Sequence, residues 1–565
     1  MSTGSKASKF IENLLGVSQN ENAPTGIQGI LQTKDYNEFI ILSDGGDRLH
    51  SFTGSKLANK CLPGDHVSWN GTHCVLELRD EHPPIVGTLE LTNKSRYGLT
   101  SRGIPIYLFT PYNKRYPHFI VGCSEKDVSK NRIGIIKFDT WEQSSTFPRG
   151  LLQQTLGLSG DFEAEKQALI WQASPWKYPK FDYKATPKND APREQITGYT
   201  FNIDPEGCKD VDDVLTFEQV GNCWKVTITI SDVATFVEDG SPIDIMASLI
   251  GQTLYDTNGN VLRPMLPAEF SENQCSLISG KESYGISLEF QWDGTKIKDI
   301  RWFESSLKTD KSYSYEEFQS SDSPFKAPLQ AITSYLAKED VTDSHKWIEQ
   351  MMLFYNTEAG KLLKEANMGI LRRHSVPNLE KLARYQTHLP DLQMLAYSSA
   401  EYCLAEEEDT AHYGLETTTY AHTSSPIRRY ADLVNQRILK LIIRGKQERY
   451  IVPQAMYDMN LREKAIKAFA RDSDFLTAIS TGQTEFKGII MDKVPKENGF
   501  VKVKIYVPQW KRSISTTYKS VADNKVLSRD ETREIDITDY KEVEIKCTFN
   551  INSRNWKERV IFNIY

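Results

Sequence analysis

The sequence predicts a multidomain α+β chain in which small β-barrels flank a larger central domain, and three observations predict it. Short alternating apolar runs, punctuated by Gly and Pro, fill residues 25 to 150 and return after Gln483. Between them, strand-like text over 195–300 gives way to helical periodicity over 327–478 inside one segment. The length, 565 residues, also exceeds what one hydrophobic core ordinarily fills.

Residues 1–24 read as a flexible polar tail around a short helix, Lys9–Leu15. Residues 25–82 read as a first barrel, with strands such as Glu38-Phe-Ile-Ile-Leu42 and turns such as Pro63-Gly-Asp65. After Pro83-Pro84 the same grammar repeats, so 83–180 holds a second barrel and the start of a linker, Trp171–Pro192, rich in Lys, Pro and aromatics. The central domain, 181–479, begins with strands such as Lys225–Ile230 and Ser287–Trp292. It continues with helical faces: Trp347, Ile348, Met351, Met352, Tyr355, Ala359, Leu362 and Leu363 trace one, and Ile427, Tyr430, Val434, Ile438 and Leu441 another. A charged helix over Ala455–Leu476 connects to a third barrel, 480–565, whose strand Phe500–Val507 alternates apolar residues with Lys502, Lys504 and Tyr506.

Charge and cysteine usage narrow the function classes. The balance is 68 − 75 = −7, which excludes whole-surface nucleic-acid binding and requires local basic patches for any anionic ligand. Residues 92–118 carry five basic side chains and no acidic one, among Tyr97, Tyr107, Phe109, Tyr112 and Tyr116; these rings either stack bases or fill the barrel. Residues 487–520 carry eight basic and two acidic side chains, so Lys502 and Lys504 are expected on a nucleic-acid face. Eight scattered Cys argue against a zinc module or disulfide framework and fit a reducing, cytoplasmic setting. No apolar run reaches membrane-spanning length, and no membrane partner is expected.

Two constellations carry chemistry. Asp204, Asp210, Asp212 and Asp213 crowd ten positions, with Pro205 and Gly207 to supply a turn that converges them. Carboxylates packed so closely need protons, water or hard cations, and two divalent ions would activate a water for in-line attack on a phosphodiester. Magnesium suits an all-oxygen site, with manganese the alternative. An Asp-rich run by itself is most often a solvated loop or a calcium loop, but no helix–loop–helix with a Glu at the twelfth position occurs here. The second constellation, Tyr420-Ala-His-Thr-Ser-Ser-Pro-Ile-Arg-Arg-Tyr430, reads as a helix opening at Pro426 with Ser425 as its cap. One of Arg428 and Arg429 would reach a phosphate while the other braces the domain.

Together these segments resemble the ribonuclease II superfamily, which includes ribonuclease R and the catalytic subunit of the eukaryotic exosome. Further similarity lies in Pro264-Met-Leu-Pro267, Leu371-Arg-Arg-His374, His412-Tyr-Gly-Leu415 and, in the second barrel, Arg96-Tyr-Gly and Phe147-Pro-Arg-Gly150. The resemblance implies two N-terminal cold-shock-like OB barrels, a central α+β ribonuclease II-type catalytic domain and a C-terminal OB-type RNA-binding barrel. It implies a 3′-to-5′ exoribonuclease that releases nucleoside 5′-monophosphates from single-stranded RNA, with magnesium held by Asp204, Asp210, Asp212 and Asp213. Arg428 would contact the scissile phosphate, with Ser425 and Arg429 beside it on the RNA. Tyr315 matches a tyrosine that clamps the terminal nucleotide, Glu349 an acidic position on a neighbouring helix, and Tyr255 a base-stacking position; Arg96 would add an RNA contact in the second barrel.

The sequence also departs from the family. Gln350 replaces a second Glu beside Glu349, which leaves a plain surface helix as an equal reading there. The stretch between Tyr315 and Trp347 lacks the strand pair common in the family, and Thr229 stands where a His is usual, a change expected in packing rather than metal binding. A free-standing, monomeric enzyme is the expectation. The rivals are a catalytically inactive RNA-binding regulator of the same fold and a DNA-directed nuclease.

Overall fold

A computed structural model describes residues 26–79, 81–180, 183–188, 191–452, 456–549 and 560–565. The helix expected at Lys9–Leu15 lies outside the described residues. The chain divides into two compact units at Leu158/Ser159.

In the first unit, strands Ile27–Thr33, Glu38–Leu42, Arg48–Thr53, His66–Trp69 and Cys74–Leu78 form an antiparallel sheet with the first strand central. The closed barrel expected over 25–82 is instead an open sheet among the described residues, since no pairing joins Arg48–Thr53 to Cys74–Leu78. Rings cover its core without closure. Phe52 and Trp69 stack at 4.9 Å although two strands lie between theirs, a separation of roughly 14 Å in a flat sheet, so this sheet is curled.

The second barrel does close. Ile85–Leu89 pairs with both Ile106–Pro111 and Arg132–Thr140, and Arg149 pairs in parallel with Ile120. Tyr107 and Phe109 belong to its buried core and Tyr116 packs against it, which favours the barrel-filling reading for these three of the 92–118 aromatics; Tyr112 is buried as well. Arg115 Nε donates to the Thr33 carbonyl at 3.0 Å.

The second unit is built on a seven-stranded sheet. Its order is Glu194–Gln195, Ile297–Lys308, Glu282–Trp292, Cys223–Ser231, Asp213–Val220, Tyr199–Asp204 and Lys311–Ser314. Helix Ser344–Glu365 packs on it with Trp347, Ile348, Met351 and Tyr355, the predicted face, against Phe201, Ile228 and Leu288. A second core gathers around helix Tyr430–Ile443. Among the described residues the expected linker, Trp171–Pro192, packs in part on this unit: its first residues close helix Phe162–Ala173, and Tyr178 Oη donates to the Met265 carbonyl at 2.9 Å while its ring packs against that second core. Aromatic rings in a Lys- and Pro-rich stretch find apolar surface that composition alone does not reveal.

Between Tyr315 and Trp347 the chain forms helices Tyr315–Ser320 and Lys326–Ala337 and no strand. Thr229 is fully buried and shares a hydrogen bond with Ser287 Oγ at 2.8 Å. Helix Met456–Ser480 leads to the C-terminal sheet, in which Glu485–Pro495 lies between Phe500–Val507 and Glu542–Phe549. Lys502 and Lys504 are exposed there and alternate with buried Val501, Val503 and Ile505; Tyr506 keeps their face in an unbroken register but is covered by the fold instead of exposed. The strand's last three residues, Ile505 to Val507, are all buried, so alternation ends before the strand does. Among the described residues no helix is long and apolar enough to cross a membrane.

Candidate active site

Strand Tyr199–Asp204 ends on Asp204, and the chain turns at once through Pro205–Cys208, closed by the Cys208 amide on the Pro205 carbonyl at 3.1 Å. Gly207 has φ 77°, a conformation that costs glycine nothing and other residues strain. The return is pinned from both sides. The Val211 amide donates to Ser276 Oγ at 3.0 Å, the Leu277 amide to the Val211 carbonyl at 2.9 Å, and the Ser231 amide to the Asp212 carbonyl at 2.8 Å. Asp213 then opens the next strand, opposite Ile230.

All four aspartates line one open cavity of about 1090 Å³, together with Tyr255, Tyr315, Glu349, Ser425, Arg428 and Arg429. Two of them carry protein donors across the cavity. Asp210 Oδ2 accepts from Tyr255 Oη at 2.7 Å. Asp212 accepts the Ile427 amide at 2.9 Å on one oxygen and Arg428 Nε at 3.2 Å on the other. Asp204 accepts from Asn202 Nδ2 at 2.8 Å.

Burial dominates the electrostatics. It pushes the Asp212 carboxyl up to about 7, against the opposing pull of Arg428 and the Ile427 amide. Asp213 is driven well above the ordinary carboxylate range by burial and by Asp204 and Asp212, and Asp204 is raised by burial as well. Among the described residues, no three His, Cys, Asp or Glu side chains are gathered as a ready metal-binding cluster. The donor set is nonetheless all-oxygen, and neighbouring carboxylates that penalise one another's charge are what a hard cation relieves.

Arg428 stands on a turn, not in a helix. The amides of Arg428 and Arg429 both donate to the Ser425 carbonyl, at 3.2 and 3.0 Å, and the helix begins only at Tyr430. The expected opening at Pro426 with Ser425 as cap is therefore corrected. The reason is tertiary: the Thr253 amide donates to the Arg428 carbonyl at 3.0 Å and the Tyr430 amide to the Gly251 carbonyl at 2.9 Å, which holds Arg429 extended. Ser425 Oγ accepts from Arg428 Nη2 at 2.8 Å. The two arginines diverge: Arg429 Nη2 donates to buried Asp432 at 2.7 Å, whereas the Arg428 side chain is 42% exposed.

Tyr315 opens its short helix behind the Ser314 cap, and its ring lies flat on His345 at 3.9 Å and 10°. Glu349 pairs with Lys346 of its own helix. Lys502 and Lys504 lie on the C-terminal sheet and do not line the cavity. Arg96 belongs to the first unit, with its guanidinium 5.5 Å from the Tyr107 ring centre.

Several site-building residues escaped the sequence reading because they sit at polar positions of helices. Asn356 Oδ1 accepts the Thr423 amide at 2.9 Å, and its Nδ2 donates to Tyr420 Oη and Ser424 Oγ, which seats the strand of chain leading to Ser425. On helix Tyr430–Ile443, Asn435 exchanges hydrogen bonds with both backbone groups of Ile370, and Gln436 grips the Ser231 carbonyl and the Ala234 amide. Lys440 meets Asp232 at 2.8 Å. The only sequence signal was polar residues breaking an apolar helical stripe.

The RNB domain model matches residues 193–328 and 320–445, and a Dis3-like cold-shock domain 2 model matches 106–174. Residues 193–445 are an RNB domain, the domain of the ribonuclease II superfamily. The chain is 24% identical over 518 residues to the probable exosome complex exonuclease RRP44 of Caenorhabditis elegans, covering 73% of this chain and 53% of that protein. It is 26% identical over 373 residues to ribonuclease R of Helicobacter pylori, covering 51% and 57%. The chain thus spans about half the length of these curated relatives. Its fold matches Mycoplasma genitalium RNase R, solved in complex with ribose-methylated single-stranded RNA, with TM-score 0.68, 17% identity and coverage of 95% and 100%. It also matches yeast Ssd1, a pseudonuclease, with TM-score 0.60, 17% identity and coverage of 97% and 83%.

Proposed function

We propose that this protein is a 3′-to-5′ exoribonuclease that hydrolyses single-stranded RNA to nucleoside 5′-monophosphates by a two-metal-ion mechanism. The observation that carries the proposal is the direct contact of the acidic turn with the arginine turn, through Ile427 and Arg428 on Asp212. Asp204, Asp210, Asp212 and Asp213 would hold magnesium, or manganese, which when bound supplies an activated water and charge stabilisation at the leaving oxygen. Arg428, partly exposed on its turn, reaches into the cavity to meet the non-bridging oxygens of the scissile phosphate. Tyr255, hydrogen-bonded to Asp210, orients that carboxylate in addition to the base stacking expected of its ring. The Tyr315–His345 stack offers a flat apolar surface on which the terminal base rests.

The first sheet, with its first strand central, has the strand order of an OB unit left open between third and fifth strands, and in the C-terminal sheet the first strand, Glu485–Pro495, likewise pairs with both the next strand and a later one. We read both as RNA-binding modules, with Lys502 and Lys504 on the strand's solvent-exposed face for phosphates. Action as a monomer in the cytoplasm belongs to the same reading.

The rival, an RNA-binding relative without catalysis, draws support from the fold shared with a pseudonuclease. Four retained aspartates favour the enzyme, because a binding protein gains nothing from their mutual repulsion. A 5′-labelled oligoribonucleotide with magnesium decides: progressive shortening that chelator stops supports hydrolysis, and binding without shortening supports the rival. A deoxyribose strand in the same assay tests DNA cleavage.

A further inference from the structure

We propose that Asp432 is a positioning residue that sets the Arg428 guanidinium over the aspartates, acting through Ser425. Asp432 is fully buried in the first turn of helix Tyr430–Ile443. Its Oδ1 accepts the Ser425 amide at 2.8 Å and Arg429 Nη2 at 2.7 Å. Ser425 faces the other way with its hydroxyl, which accepts from Arg428 Nη2 at 2.8 Å. Arg428 then lays Nε on Asp212 at 3.2 Å. Each step from the helix to the acidic turn is therefore a hydrogen bond, and the turn that carries Arg428 is fastened to both.

The arrangement answers a geometric problem. Arg428 is long and partly exposed, so without an anchor its head group would sample many rotamers while a reacting phosphate needs one. Ser425 fixes one nitrogen of the fork, and Asp432 fixes Ser425 from below through the backbone, where solvent cannot compete. Arg429 balances the Asp432 charge and is thereby turned into the protein interior, which explains why adjacent arginines point apart. The inference deepens the exoribonuclease reading and rests on it.

The test uses the full chain as wild type, Asp432→Asn, Ser425→Ala, Arg428→Ala and the two double variants with Arg428→Ala. Shortening of a 5′-labelled single-stranded RNA with magnesium gives kcat and KM for each. Asp432→Asn is expected to lower kcat about 10- to 100-fold and Ser425→Ala about 3- to 10-fold, with KM within about twofold. In the Arg428→Ala background each should cost less than about twofold, because the group they position is gone. A merely structural role would instead multiply with Arg428→Ala, and that result overturns the inference. If Asp432→Asn fails to fold, Ser425→Ala keeps the backbone amide on Asp432 and reads the side-chain link alone; wild-type kcat in that variant is equally fatal. Wild-type protein that leaves the RNA intact defeats the functional reading and this inference with it, whereas shortening at one rate by wild type, Asp432→Asn and Ser425→Ala defeats only the inference.

Discussion

Ile427 and Asp212 stand 215 positions apart in the chain, yet the Ile427 amide donates to Asp212 Oδ1 over 2.9 Å. The neighbouring Arg428 side chain occupies the second oxygen of the same carboxylate. One buried aspartate thus joins the acidic turn to the arginine turn, and the consequences of breaking that junction can be measured.

Asp212→Asn preserves shape and the Ile427 hydrogen bond while removing the charge. RNA binding should stay within about twofold, and turnover should fall by at least about 10³-fold, because a neutral amide is a poor ligand for a hard cation. Fluorescence anisotropy and the shortening assay, run on one preparation, check both halves; cleavage near the wild-type rate would remove Asp212 from the proposed chemistry.

Arg428→Ala should reduce kcat about 10²- to 10³-fold, the usual loss when a donor to developing charge is deleted. Arg428→Lys should recover only part of it, since one ammonium cannot serve Ser425, Asp212 and a phosphate together. A normal rate in the alanine variant would move the phosphate contact to another residue.

Divalent cations should stabilise the fold. Burial and mutual repulsion hold Asp204, Asp212 and Asp213 above the ordinary carboxylate range, and a bound cation reverses that penalty. Magnesium or manganese should raise Tm in a thermal melt, less so in Asp213→Asn; identical melting with chelator and with millimolar cation would count against a metal at this site.

Acid sensitivity should come in part from His412. Burial, with His374 and Arg372 nearby, lowers its imidazole from the ordinary 6.5 to about 4. The unfolded chain therefore takes up a proton near pH 6.5 that the folded chain refuses until about 4, so stability falls as pH drops through that window and is fully present above it. His412→Gln should flatten the slope of urea midpoint against pH between those values, and an unchanged slope would assign the effect elsewhere.

Lys440→Ala should destabilise the second unit by about 2 kcal/mol, the scale for losing hydrogen bonds to charged groups while their remaining partners stay in place. Lys440 bridges Asp232 and Glu304, with Arg193 and Arg444 on the same two carboxylates. Urea unfolding followed by tryptophan fluorescence measures it.

How much of this was legible depended on whether a residue's role was written in its neighbours. The helix face from Trp347 to Leu363 was readable because apolar side chains at a 3.6-residue period have one stable destination. That Asp204, Asp210, Asp212 and Asp213 line one cavity was readable from Pro205 and Gly207, which encode a turn locally. The helix opening was misread at Pro426 because Ser-Pro looks like a start, and only the backbone of residues 251–253, pairing with Arg428 to Tyr430, delays it. That Tyr506 is covered on the lysine face was not legible either, because strand alternation does not say when both faces become covered.

By itself the sequence determined the α+β centre, the β-rich flanks and the identity of the acidic and basic side chains, since periodicity, turn residues and charge are properties of adjacent positions. Only the tertiary structure decided that the first sheet stays open, that Arg428 faces Asp212 while Arg429 faces Asp432, and that Asn356 and Asn435 seat the segments between them. The physical reason is that each of these outcomes is a choice among partners of similar local merit. Burial makes that choice, because a polar group away from water must take the donor or acceptor that folding brings to it.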